Sequence, residues 1–126
     1  MKRILLVDDS DSNRLVLGSL LEDEGLEVVP AASFAQARER LAAEGGAFDI
    51  VMVDQHLGDG LGSNLVPLVR EQAPGAKVML ISGSADEDVA KDTVFDATVP
   101  KGRDFGDVLA LMHELLARSQ SGGGAP

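Results

Sequence analysis

Four apolar runs in this chain each stop at a polar residue. Ile4-Leu5-Leu6-Val7 meets Asp8-Asp9, Ile50-Val51-Met52-Val53 meets Asp54, Val78-Met79-Leu80-Ile81 meets Ser82, and Thr98-Val99-Pro100 meets Lys101. Continuous apolar runs of this length, without alternation, belong to strands buried on both faces, which is the property of a parallel sheet covered by helices on both sides. Open parallel sheets bind ligands in the crevice beyond the carboxyl ends of their strands. One sheet edge would therefore gather three carboxylates, a hydroxyl and an ammonium, a set suited to a hard cation and a phosphoryl group.

Between these runs lie helical segments with short connections, the pattern of an α/β domain. The first strand spans about 3–7, and the first helix about 12–24. Ser12 is a candidate N-cap, Leu17, Leu20 and Leu21 share a face, and Gly25 can close the helix. A second strand (27–30) leads to a helix opened by Ser33-Phe34-Ala35-Gln36, a capping-box pattern, and ended by Gly45-Gly46. The third strand is expected over 49–53. Pro67 lies inside the next helical run, so that helix must start close to Ser63 or be distorted at the proline. Pro74-Gly75 turns the chain into the fourth strand. A short acidic helix is expected over 86–93. A last helix is expected to open at Asp104, with Phe105, Val108, Leu109, Met112, Leu115 and Leu116 as its apolar stripe.

With 126 residues the chain makes one domain, read here as 1–118 followed by a Gly- and Ser-rich tail or start of a linker, 119–126. A net charge of −10 argues against nucleic-acid binding through this domain, because phosphate contacts need clustered Lys and Arg. The absence of cysteine excludes disulfides and thiolate sites, and two histidines are too few for a histidine metal cage. Lys2-Arg3 before the first apolar run mimics a signal peptide, but Asp8-Asp9 ends that run too early. No stretch has membrane-spanning length, so a cytoplasmic protein without membrane contact is the expectation.

Asp54 is the leading site residue. A strand-end carboxylate can attack a phosphoryl group in line and form an acyl phosphate; an isolated Asp there would read instead as a loop or capping residue. Carboxylates about 4 Å apart repel by about 1 kcal/mol in water and about 4 kcal/mol at an effective dielectric of 20, so Asp8, Asp9 and Asp54 together call for a cation. Mg²⁺ suits them, since it takes oxygen ligands octahedrally and retains several waters. Asp8 and Asp9 read alternatively as an Asx turn capping the first helix, for which Ser10, Asp11 and Ser12 are equally good. Ser82 could donate a hydrogen bond to a phosphoryl oxygen and Lys101 could neutralise charge there; alone, each reads as a turn serine and a surface lysine.

Taken in order, VDDSDSNRL (7–15), the strand ending in Asp54 with QHLGDGLG after it, ISGSAD (81–86) and VPK (99–101) resemble the receiver domain of two-component response regulators, over residues 2 to about 118. The resemblance implies a flavodoxin-like (βα)5 fold: a doubly wound five-stranded parallel sheet in the order 2-1-3-4-5, with the fourth helix short or irregular here. It implies that Asp54 accepts a phosphoryl group from a sensor histidine kinase or phosphotransfer protein. Mg²⁺ would be held directly by Asp9, Asp54 and the His56 backbone carbonyl, and by Asp8 largely through water. Ser82 and Lys101 would contact the phosphoryl group, and the His56 side chain would line the mouth of the site or simply be a solvated loop residue. Phosphorylation would switch a surface toward a downstream protein partner. The chain would catalyse only its own phosphorylation and dephosphorylation and is not otherwise an enzyme.

Three features depart from the family. Gly102 follows Lys101 where the family usually has proline, Thr98 stands at the position of its switch aromatic, and only 18 residues separate Ser82 from Lys101. These leave the phosphorylation chemistry intact and alter the output face. Two rivals follow: a degenerate receiver acting as a constitutive binding module, and an aspartyl-phosphate phosphatase of the haloacid dehalogenase type. The latter places a second Asp two residues after its nucleophile, where this chain has His56.

Overall fold

The sheet is built from the apolar runs. In the computed structural model, which describes residues 2–54, 56–82, 95–100 and 104–124, its strands are β1 (Arg3–Val7), β2 (Glu27–Ala31), β3 (Ile50–Asp54), β4 (Lys77–Ser82) and β5 (Ala97–Pro100). They are all parallel and lie in the order β2-β1-β3-β4-β5. The helices are α1 (Asp11–Asp23), α2 (Phe34–Glu44), α3 (Val66–Gln72) and a C-terminal helix (Phe105–Gly124). The expected helix over 86–93 falls outside the described residues.

Unbroken apolar runs are needed because each central strand feeds two cores. Leu5, Val7, Val51, Val53, Val78 and Leu80 pack with Ala37 and Leu41 of α2 and Leu65, Val66 and Val69 around α3. Their neighbours Ile4, Leu6, Ile50, Met52, Met79 and Ile81 point the other way, toward Leu21 of α1 and Val108, Met112 and Leu115 of the C-terminal helix. The alternation follows from the two-residue period of a strand. A doubly wound sheet is the result.

Local signals resolve most helix ends. Gly25 has φ +86°, its N–H donates to the Glu22 carbonyl, and the Leu26 N–H donates to that of Leu21. This is a Schellman motif, closed by burial of Leu21 and Leu26 in one core. The cap at the other end of α1 is Ser10, not Ser12: its hydroxyl accepts from the Asn13 N–H. One residue of extended backbone at Ser10 leaves Ser12 already inside the first turn. Pro67 is accommodated as expected, in the first turn of α3, behind a 3-10 turn over Gly62–Leu65. The C-terminal helix carries its expected stripe, with Val108, Met112 and Leu115 buried; its backbone remains helical to Gly124, into the segment read from sequence as a tail.

Candidate functional site

Strand register brings the polar run-ends to one edge. Val7 pairs with Val53, so Asp8 emerges beside Asp54 on the neighbouring strand. Asp54 pairs with Ile81, which puts Ser82 one residue further along, opposite Pro100 of β5. Lys101, next after Pro100, lies outside the described residues. The Ser82 and His56 side chains do as well, whereas their backbones are placed: Ser82 ends β4, and His56 opens a short antiparallel ribbon.

Asp8, Asp9 and Asp54 each offer a carboxylate oxygen within 4.8 Å of the others. Asp8 and Asp54 are buried, each 2% exposed, while Asp9 opens to solvent. Two charged groups at that depth need compensation. Mg²⁺ holds oxygens at about 2.0–2.1 Å, so opposite ligands of one ion are roughly 4.2 Å apart, close to the spread of this set. The three carboxylates therefore fit a hard divalent cation, with a solvent-facing side at Asp9 for water.

A backbone donor and one arginine hold Asp8 at the end of β1. The Asp8 Oδ1 accepts from the Ser10 N–H at 2.9 Å, and the Asp8 N–H continues the sheet ladder to the Ala31 carbonyl at 3.1 Å. Arg14 reaches back along α1: one guanidinium nitrogen donates to the Asp8 carbonyl at 2.6 Å and another pairs with Asp11. Arg14 was not singled out from sequence. Its spacing from Asp8, six residues across a loop and a first helical turn, could have suggested it.

The loop after Asp54 has its own supports. His56 pairs with Leu61 and Leu57 with Gly60 in the ribbon, and Asp59 sits at its turn. The Asp59 carboxylate accepts from the Phe34 N–H at 2.8 Å and the Ala35 N–H at 3.1 Å. The Ser33 hydroxyl takes the Gln36 N–H, so the opening N–H groups of α2 are all satisfied. The Gln36 side chain reaches back to the Ala32 N–H, one residue before the expected capping-box partner. The N–H bonds from Phe34, foremost, and from Ala35 hold the Asp59 carboxyl below the usual carboxylate range. Nearby Arg38 adds a smaller effect in the same direction, and partial desolvation opposes it.

An acidic triad at the carboxyl edge of a 2-1-3-4-5 sheet agrees with the comparisons. The family model for the response regulator receiver domain matches residues 4–99. The chain belongs to that family. It is 36% identical over 92 residues to the alginate biosynthesis transcriptional regulatory protein AlgB of Pseudomonas putida, a match covering 73% of this chain and 20% of AlgB. The receiver thus spans about a fifth of the length of that relative. It is 34% identical over 98 residues to the response regulator receiver protein CpdR of Brucella abortus, covering 73% of this chain and 80% of CpdR. Among solved structures it superposes on the response regulator TrrA of Thermotoga maritima, in complex with Mg²⁺-BeF, with a TM-score of 0.81 and 27% identity over 91% of this chain and 99% of that one. This is a receiver domain of a two-component system, not the haloacid-dehalogenase-type phosphatase weighed above. No helix among the described residues is long and apolar enough to cross a membrane.

Proposed function

We propose that Asp54 of this receiver accepts a phosphoryl group from the phosphohistidine of a sensor histidine kinase or phosphotransfer protein, in a reaction that needs Mg²⁺ at Asp8, Asp9 and Asp54. The observation that carries the reading is the convergence of three carboxylates at the carboxyl ends of β1 and β3. An Asp54 oxygen attacks phosphorus, the P–N bond to the donor imidazole breaks, and its electron pair stays on the imidazole nitrogen, leaving an acyl phosphate on Asp54. Bound Mg²⁺ would supply charge neutralisation for the phosphoryl oxygens. Asp8 and Asp9 hold that cation, with the His56 backbone carbonyl as a further oxygen ligand. Ser82 and Lys101 are assigned to the phosphoryl oxygens, the hydroxyl as hydrogen-bond donor and the ammonium as counter-charge. Water later hydrolyses the acyl phosphate and returns the carboxylate. The phosphorylated form binds a downstream protein, and the domain works in the cytoplasm.

Mass spectrometry of the intact protein after incubation with Mg²⁺ and acetyl phosphate tests this reading. Acetyl phosphate loses acetate on attack, so the wild type should gain one phosphate. Asp54→Asn should gain none, and chelation should abolish the gain. Equal labelling of wild type and Asp54→Asn would refute the assignment; a wild type that never labels would identify a degenerate receiver.

A further inference from the structure

The ribbon after Asp54 is too small to hold its own shape. Two residues pair with two, and an isolated hairpin of that size has no independent stability in water. Its geometry must come from what it touches, and three contacts define it. At the turn, both oxygens of Asp59 are bonded to the amino end of α2, through Phe34 and Ala35. Beside it, Gly60 lies so close to the Phe34 ring that a Cβ there would stand 3.0 Å from Cδ2. Leu57, 7% exposed, plugs the ribbon into the core shared with α2 and α3. The amino end of α2 therefore serves as the anvil on which the loop is set.

We propose that Asp59 is a positioning residue for the metal site: by tying the ribbon to α2 it fixes the His56 backbone carbonyl at the distance and angle a bound Mg²⁺ requires. The proposal rests on the reading of Asp8, Asp9 and Asp54 as the Mg²⁺ site. Mg²⁺ tolerates little departure from octahedral geometry. A ligand carried by a loosely held carbonyl contributes little, and groups that orient ligands shape metal affinity strongly. Asp59 touches neither phosphoryl group nor metal in this scheme; it acts through the loop. A negative charge at the N-terminus of a helix is also favourable in itself, which is why the tether is a carboxylate.

Calorimetric titration of the whole chain with MgCl₂ separates the possibilities. Asp59→Ala should weaken Mg²⁺ binding on the order of tenfold, while circular dichroism in chelator still reports a folded domain. Asp59→Asn removes the charge and keeps one acceptor oxygen, enough for one of the two N–H groups that the carboxylate holds through separate oxygens, and should bind Mg²⁺ more weakly than the wild type and more tightly than Asp59→Ala. Gly60→Ala leaves Asp59 intact but presses the ribbon away from Phe34, and should weaken binding as Asp59→Ala does; it decides the matter if Asp59→Ala does not fold. Unchanged Mg²⁺ affinity in Asp59→Ala or in Gly60→Ala, beside a wild type that binds, would overturn the proposal alone. A wild type without Mg²⁺ binding would overturn the site reading itself, and this proposal with it.

Discussion

Gly62 sits against the backbone carbonyl oxygen of Asp54, so closely that a Cβ at residue 62 would overlap it and would also stand 3.0 Å from Cγ2 of Val53. The chain leaves β3, turns through the ribbon, and returns to lay the 3-10 turn over Gly62–Leu65 beside the residue it has just passed. Only glycine lets the two backbones approach this far. The obstacle is main chain at the end of a central strand, which cannot swing aside as a side chain would.

Gly62→Ala should therefore cost stability and distort the proposed phosphoacceptor, Asp54, together. Overpacking of this kind costs about 1–3 kcal/mol. A urea midpoint lowered to match, with slower labelling of Asp54 by acetyl phosphate, is the expected pair of results. An unaltered midpoint would show that the loop has room the geometry denies.

Asp8→Asn should make the metal-free protein more stable and less responsive to Mg²⁺. The carboxylates of Asp8, Asp9 and Asp54 lie within 4.8 Å, two of them buried. Removing one charge relieves repulsion of roughly 1–3 kcal/mol, while an Asn oxygen can still accept from the Ser10 N–H. Melting scans in chelator should rise, and the further rise on adding Mg²⁺ should shrink. A lower melting temperature in chelator would mean that the Asp8 charge stabilises the fold, contrary to this reading.

Arg14→Ala should loosen the β1–α1 turn. The guanidinium bridges the Asp8 carbonyl and Asp11, and hydrogen bonds to charged groups contribute about 1.5–3 kcal/mol. The side chain is partly exposed, so the lower end applies. Arg14→Lys should not restore the loss, because one ammonium cannot reproduce the forked geometry. Full rescue by lysine in urea unfolding would reduce Arg14 to a simple charge.

Much of the fold was readable because burial on both faces leaves a mark at every position. Ile4 to Val7 and Ile50 to Val53 are apolar without interruption since alternate residues enter different cores. Asp8, Asp9 and Asp54 were readable because they interrupt those runs. The Asp59 tether was not. Its partners are the backbone N–H groups of Phe34 and Ala35, 25 and 24 residues earlier, and a main-chain donor leaves no trace in residue identity. The cap of α1 was ambiguous for a related reason: Ser10, Asp11 and Ser12 all carry a suitable oxygen, and only the path of the chain at Ser10 decides among them.

The Asp59 tether also makes a prediction about acid. Its carboxyl is held below the ordinary carboxylate range by the Phe34 and Ala35 N–H groups. A group whose pKa is lower in the folded than in the unfolded chain contributes stability above its unfolded value, about 3.9 for Asp, and loses it as pH falls through the folded value. Wild type should therefore exceed Asp59→Asn in stability at pH 7, keep that margin down to about pH 4, and lose it below. Comparing the two proteins isolates Asp59 from the other carboxylates that titrate in the same range. Urea unfolding of both from pH 7 to 3 measures the margin directly. A margin that grew on acidification would reverse the sign, and would mean that Asp59 binds its proton more readily when folded than when unfolded.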